Sequence, residues 1–207
     1  MHETVFLVDD DHAVRESICD LLDSAGITTR CYSSAEEFLE QWSSGMSGCL
    51  LLDVRLPRMS GMELQALLLE RHIALPIIVM TAHGDIPMVR KALKSGAVEF
   101  LTKPFQDREL LDSVQHAFAL NRSSRDSEAA FQSIQQRIQA LSQREMQVLE
   151  LVTAGLTNKE IGQNLHLSIV TIKLYRGQVM RKMQAESFAD LVKMWQAARP
   201  LEPHKDA

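Results

Sequence analysis

The chain has 207 residues, 45% apolar and 24% charged, which excludes a disordered, collagenous or mucin-like protein. The net charge of −5 conceals an asymmetry: residues 1–122 carry 11 basic and 18 acidic side chains, residues 123–207 carry 11 and 9. An acidic front and a mildly basic back point to two domains with different partners. Three cysteines, Cys19, Cys31 and Cys49, with no Cys-x-x-Cys pair, predict reduced thiols in a cytoplasm-like compartment. Met1–Thr4 lacks the basic and apolar blocks of a secretory leader. The longest apolar stretch, Ile73–Met80, falls far short of the ~20 residues that span a bilayer. The seven histidines show no metal-ligand spacing.

The front half alternates between two periodicities. Thr4–Asp9 is a short β-branched and aromatic run, a buried strand. His12–Ala25 has helical spacing, with Val14, Ile18, Leu21 and Leu22 on one face and Gly26 closing it. Strand Ile27–Cys31 follows, then a helix opened by Ser34 and Glu37 as a capping box and running to about Trp42. Gly48–Asp53 is the third strand, and Ser60 with Glu63 opens a helix to about His72. Pro76–Met80 is a strand, Asp85–Ser95 a helix, Val98–Leu101 a strand and Gln106–Leu120 a helix. Five strands alternating with five helices predict a doubly wound five-stranded parallel sheet, flavodoxin-like in architecture.

In such sheets ligands lie beyond the carboxyl ends of the strands, near the switch in strand order. The residues there are Asp9, Asp10 and Asp11 after strand one, Asp53 ending strand three, Thr81 after strand four, and Lys103-Pro104 after strand five. Taken singly, each has a plain explanation: an Asp after a strand often caps a helix, and Lys-Pro is often a loop. Together they make a chemical set. Clustered carboxylates repel unless a cation neutralises them, and oxygen-only ligands favour Mg²⁺. Asp53 can then attack a phosphoryl group, with Lys103 and the metal stabilising its oxygens and Thr81 donating a hydroxyl. Asp-x-Asp within residues 9–11 also suits aspartate-nucleophile phosphohydrolases. That signature wants Thr or Val where Ala13 stands, and no second acidic cluster follows Lys103.

Residues 3–120 resemble the receiver domain of bacterial two-component response regulators, of the type known from CheY. The matching residues are the acidic pair, the loop Asp53-Val-Arg-Leu-Pro-Arg-Met-Ser-Gly61, Thr81-Ala82 and Lys103-Pro104-Phe105. The resemblance implies that Asp53 is the phosphoacceptor. It implies that Asp10, Asp53 and the backbone carbonyl of Arg55 bind Mg²⁺, with Asp9 joining through water. Thr81 and Lys103 would sense the phosphoryl group, and Phe100 would be the switch aromatic. Read locally, Phe100 is more simply a core ring. The family also has a cis peptide before the proline matching Pro104.

Residues 121–139 contain no Gly or Pro and read as a helical linker, with Ser123–Ser127 its weak point. Phe131, Ile134, Ile138 and Leu141 form an amphipathic stripe that either covers part of the second domain or makes a short two-helix contact in a dimer. Residues 140–199 predict four short helices, and residues 200–207 a tail. Ser142/Glu145 and Thr157/Glu160 are capping boxes, the turn His166–Ser168 leads to a helix over Ile169–Met183, and Ser187/Asp190 opens the last helix. Two helices joined by a tight turn, the second carrying Lys173, Arg176, Arg181 and Lys182 with no acid, form a helix-turn-helix pattern; on charge alone these four could equally be a solvated face.

Residues 140–197 also resemble the LuxR-type output domain, with Ser142-Gln-Arg-Glu145, Gly155, Thr157-Asn-Lys-Glu-Ile161, Leu165, Ser168, Thr171, Lys173 and Met180-Arg-Lys-Met183 in place. The resemblance implies that Lys173 and Leu174 face base edges and Thr171 the DNA backbone, with Arg176, Gly177, Arg181 and Lys182 completing the surface. Tyr175, Gly177 and Gly162 depart from the usual residues. The chain is thus similar to FixJ/NarL-type response regulators. That implies a cytoplasmic, non-enzymatic transcription factor phosphorylated by a sensor histidine kinase. Its partners would be promoter DNA, RNA polymerase and, when phosphorylated, a second copy joined through the helices at 84–95 and 106–120. A receiver acting only as a protein-interaction module is the other reading, and the full set Asp10, Asp53, Thr81, Lys103 argues against it.

Overall fold

The computed structural model describes residues 3–82, 90 and 92–198, and it divides into two compact units between Arg125 and Asp126. In the first unit, strands β1 (Thr4–Val8), β2 (Thr28–Tyr32), β3 (Gly48–Asp53), β4 (Ile77–Thr81) and β5 (Glu99–Thr102) form one sheet in the order β2-β1-β3-β4-β5. Every pairing is parallel.

The apolar runs of β1 and β3 are sorted by the pleat into two cores. Phe6, Val8, Leu50, Leu52 and Val79 face one side, and Val5, Leu7, Leu51, Ile78 and Met80 the other. Helices α2 (Ala35–Gln41) and α3 (Gly61–Glu70) cover the first side with Phe38, Leu64 and Leu68. Helix α1 (His12–Ser24) covers the second with Ile18 and Leu22, as does the start of α4 (Asp107–Gln139) with Leu110, Val114 and Phe118. Because both faces are covered, the central strands β1, β3 and β4 are almost wholly buried and read as near-continuous apolar segments. The helix expected at Asp85–Ser95 lies mostly outside the described residues, of which 90 and 92–94 are helical.

Asp11 caps α1, accepting from the backbone N–H of Ala13 at 2.9 Å. The capping box expected at Ser34 is only half present: Ser34 Oγ accepts from Glu37 N, but the Glu37 carboxylate turns to the N–H and hydroxyl of Ser33, both at 2.7 Å. Helix α4 runs unbroken through Ser123–Ser127, where the sequence predicts a weak point.

The second unit contains the end of α4 and helices α5 (Gln143–Thr153), α6 (Asn158–Leu165), α7 (Ile169–Met183) and α8 (Phe188–Ala198). Val148, Leu149, Val152, Ile161, Ile172, Val179, Met183 and Leu191 form its core, with Ile134, Ile138 and Leu141 packed against them. The amphipathic stripe therefore covers the second domain, with Phe131 left 41% exposed. Arg137 Nη1 donates to the Met183 carbonyl at 3.0 Å and Gln135 Nε2 to that of Ala198 at 3.0 Å, so the end of α4 satisfies carbonyls at the carboxyl ends of α7 and α8. No helix among the described residues is long and apolar enough to cross a membrane.

Candidate functional site

Parallel strands place all their carboxyl ends on one rim, and the order β2-β1-β3 makes the β1/β3 crevice the switch point. Asp9 follows β1, and Asp53 ends β3; both are buried, at 1% and 6% exposure. Lys103, after β5, bridges them: its Nζ lies 2.5 Å from Asp9 Oδ2 and 2.5 Å from Asp53 Oδ1. The remaining oxygens are also held, Asp9 Oδ1 by the Asp11 N–H at 3.0 Å and Asp53 Oδ2 by the Arg55 N–H at 2.5 Å. Lys103 is placed by its own N–H, which donates to the Thr81 carbonyl at 2.7 Å, and its peptide to Pro104 is cis. Thr81 is buried at the end of β4, and Phe100 is half-buried against the core under α2 and α3.

Burial pushes the Asp53 carboxyl above its ordinary range; the bond to Lys103 opposes this, and the charge of Asp9 adds to it. Burial alone would lower Lys103, but its bonds to Asp53 and Asp9 and their charges outweigh that and raise it, so the ammonium stays charged.

Asp10 and Arg55 stand exposed at the same rim. Among the described residues no three acidic, His or Cys side chains are gathered as a ready-made metal cage. Asp9 and Asp53 turn to the Lys103 ammonium. The donor set still fits a hard divalent cation, since three carboxylates against one ammonium leave negative charge on oxygen ligands alone.

Gly61, the first residue of α3, packs against the end of β3. A Cβ there would lie 2.1 Å from the Asp53 carbonyl oxygen, and the Gly61 N–H donates to the Val54 carbonyl at 3.0 Å. Gly61→Ala is expected to displace the Asp53 loop and destabilise the first unit by about 1–3 kcal/mol. A lowered urea midpoint would show it, and an unchanged midpoint would mean that the loop has slack.

In the second unit, α6 ends at His166 in the left-handed conformation (φ 55°), and Ser168 opens α7, its Oγ accepting from the Thr171 N–H at 3.1 Å. Gly162 has a packing reason to depart from the usual residue: a Cβ there would meet the Leu167 carbonyl oxygen at 2.8 Å, so the bare backbone lets the turn close. Helix α7 buries Ile172, Val179 and Met183 and leaves Lys173, Leu174, Gly177 and Arg181 exposed. Thr171 is half-buried, with its hydroxyl 2.8 Å from that of Ser168. A Cβ on Gly177 would meet nothing within 4 Å, so no packing inside the protein explains that glycine.

Two residues expected on the DNA face are engaged within the domain. Arg176 Nη1 donates to Asn158 Oδ1 at 2.6 Å, and its guanidinium sits 5.8 Å from the Phe188 ring centroid. Lys182 Nζ reaches Glu145 Oε2 at 2.7 Å and the Ala140 carbonyl at 3.2 Å. Glu145 is 3% exposed. Burial alone would raise its carboxyl, but the bonds to Lys182 and to Ser142 hold it below the usual range. In the sequence Glu145 reads as a capping residue and as part of the LuxR-type motif, with nothing to point to its cation. Sequence reasoning also missed Val170, 78% exposed and one turn before Lys173 and Leu174. The spacing 170, 173, 174, 177 was the available signal.

The comparisons with known proteins agree with both halves. Residues 5–115 match the response regulator receiver domain, and residues 139–195 the luxR family of bacterial regulatory proteins. The chain belongs to the response regulators that join a receiver to a LuxR-type DNA-binding domain, a family of phosphorylation-dependent transcription regulators rather than enzymes. It is 44% identical to nodulation protein W of Bradyrhizobium diazoefficiens over 190 residues, 92% of this chain and 84% of that one. It is 42% identical to the response regulator protein TodT of Pseudomonas putida, with the same shares covered. Among solved structures it resembles the response regulator StyR, with a TM-score of 0.86 and 42% identity over 95% of this chain and 99% of that one.

Proposed function

We propose that this regulator is switched by phosphorylation of Asp53 by a cognate sensor histidine kinase, and that phosphorylated chains pair to seat two α7 helices on promoter DNA. The observation that carries this reading is the Lys103 ammonium held between Asp9 and Asp53 at the switch point of the sheet. In the transfer, one Asp53 carboxylate oxygen forms the bond to phosphorus while the donor's leaving group departs with its electron pair. Lys103, already at Asp53, offsets charge on the added oxygens, and the Thr81 hydroxyl donates to one of them. Mg²⁺, held by Asp10, Asp53, the Arg55 carbonyl and, through water, Asp9, would supply further charge neutralisation there. Phe100, packed on the neighbouring strand, is the residue that would report the rearrangement of Thr81 and Lys103.

On the output domain, Lys173 and Leu174 reach base edges, with Val170 and Gly177 on the same face, and Arg181 and Thr171 meet phosphates. The regulator works in the cytoplasm, beside its DNA and RNA polymerase. One such helix makes few contacts, and non-specific affinity is typically ~10⁻⁴–10⁻⁶ M. Pairing two copies raises avidity about 10²–10⁴-fold without new base contacts.

Sedimentation of the full chain with and without the phosphoryl mimic beryllofluoride tests the pairing. A monomer–dimer shift on modification is expected. A modified protein that stays monomeric yet binds DNA far more tightly would leave release of the output domain as the mechanism.

A further inference from the structure

Three separate thiols were expected, but Cys19 on α1 and Cys31 on β2 bring their sulfurs into disulfide contact. Cys31 is exposed and Cys19 half-buried, and both open onto a surface pocket shared with His12, Arg15, Glu16, Ser33 and Glu37. The Arg15 guanidinium can favour a thiolate there. Of the two opposing acids, the Glu37 carboxylate accepts from the N–H and hydroxyl of Ser33, and Glu16 pairs with His12 at 4.0 Å. Cys49 differs in kind: it is buried within β3, and burial pushes its thiol well up, which makes it unreactive.

We propose that Cys19 and Cys31 form a reversible dithiol–disulfide pair through which a low-molecular-weight disulfide acts on the receiver. In a compartment that keeps thiols reduced, a disulfide is transient and redox-sensing rather than a permanent staple. The exposed Cys31 thiolate attacks one sulfur of an oxidised glutathione-type disulfide, forming a mixed disulfide and releasing one small thiolate. The Cys19 thiolate then attacks the Cys31 sulfur and releases the second. The two cysteines lose two electrons, the small disulfide gains them, and the two protons from the cysteines pass to the released thiolates.

The bond has a mechanical consequence. The bond fastens the middle of α1 covalently to β2, so oxidation restricts how α1 can move against the sheet. Helix α1 is tied to the phosphoacceptor site at its start: the Asp11 N–H donates to Asp9 Oδ1 at 3.0 Å, and Arg15 Nη1 to the Asp9 carbonyl at 2.7 Å. Oxidation therefore perturbs Asp9. Slower phosphoryl uptake follows if the phosphorylation reading above is right; the thiol chemistry itself does not depend on that reading.

The test incubates the full chain with oxidised glutathione and then with a dithiol reductant, following intact mass and backbone amide resonances. Oxidation should remove about 2 Da in the native chain and none in Cys19→Ser or Cys31→Ser. It should also shift the amides of residues 9–15, with both changes reversed by the reductant. Uptake from acetyl phosphate should fall several-fold in the oxidised native chain and stay unchanged in Cys31→Ser. Mass loss in the Cys31→Ser variant, no mass loss in the native chain, or bond formation that leaves the amides of residues 9–15 unmoved would each overturn the proposal. Absence of phosphoryl uptake in both redox states would instead count against Asp53 phosphorylation, with mass and amide shifts still deciding the thiol pair.

Discussion

Asp53→Asn is expected to abolish phosphoryl uptake, where the native chain with Mg²⁺ and acetyl phosphate gains one acid-stable, alkali-labile group. The asparagine amide keeps the shape of the side chain and can still occupy the site beside Lys103, but it presents no carboxylate oxygen to attack phosphorus. Chelating the metal should have nearly the same effect on the native chain. Lys103 offsets one charge only, and the remaining carboxylates would repel the incoming phosphate. Radiolabel or intact-mass measurement reads both experiments. Uptake that persists in the asparagine variant would move the nucleophile to Asp9 or Asp10.

Three of the four cations of α7 should show three different behaviours. Lys173→Ala should weaken the specific complex by ~1–3 kcal/mol and relax preference at one base position. Arg181→Ala should weaken all sequences alike and reduce the salt slope by ~1. Lys182→Ala should leave that slope unchanged, because its ammonium is engaged by Glu145 and the Ala140 carbonyl. Its effect should appear in folding: the buried Glu145 carboxylate loses its cation, which costs about 1–3 kcal/mol of domain stability. Titrations at several salt concentrations, beside thermal unfolding, distinguish the classes. A reduced salt slope for Lys182→Ala would put that residue back on the phosphate surface.

The legible parts of the sequence were those where local chemistry has one structural solution. The run Cys49–Asp53 has to be a strand, and Ser60/Glu63, Ser142/Glu145 and Thr157/Glu160 fold into complete capping boxes. Once the strands are parallel, their ends bring Asp9, Asp53, Thr81 and Lys103 to one rim, which is why that constellation could be read before any coordinates. Less legible was what each charge is paired with. Arg176 and Lys182 look like Lys173 and Arg181 in sequence; their partners, Asn158 and Glu145, lie 18 and 37 residues away, and no period links them. The same limit hid Cys19–Cys31, joined across a helix and a strand. It also hid the turn of Asp9 and Asp53 toward Lys103, a choice among partners that spacing does not encode.

The internal engagement of Arg176 and Lys182 bears on how the regulator finds its targets. With only Lys173 and Arg181 of its cations unengaged, α7 would add little attraction to the uniform charge of the double helix. Each copy would therefore dwell briefly on the vast excess of irrelevant sequence in a genome. Such a reader would keep most of its molecules unbound and available, and under the pairing proposed above promoter occupancy would follow the number of copies competent to bind together. Adding free cations to α7 would tighten every encounter and, by trapping molecules on irrelevant DNA, make the output less responsive to the incoming signal.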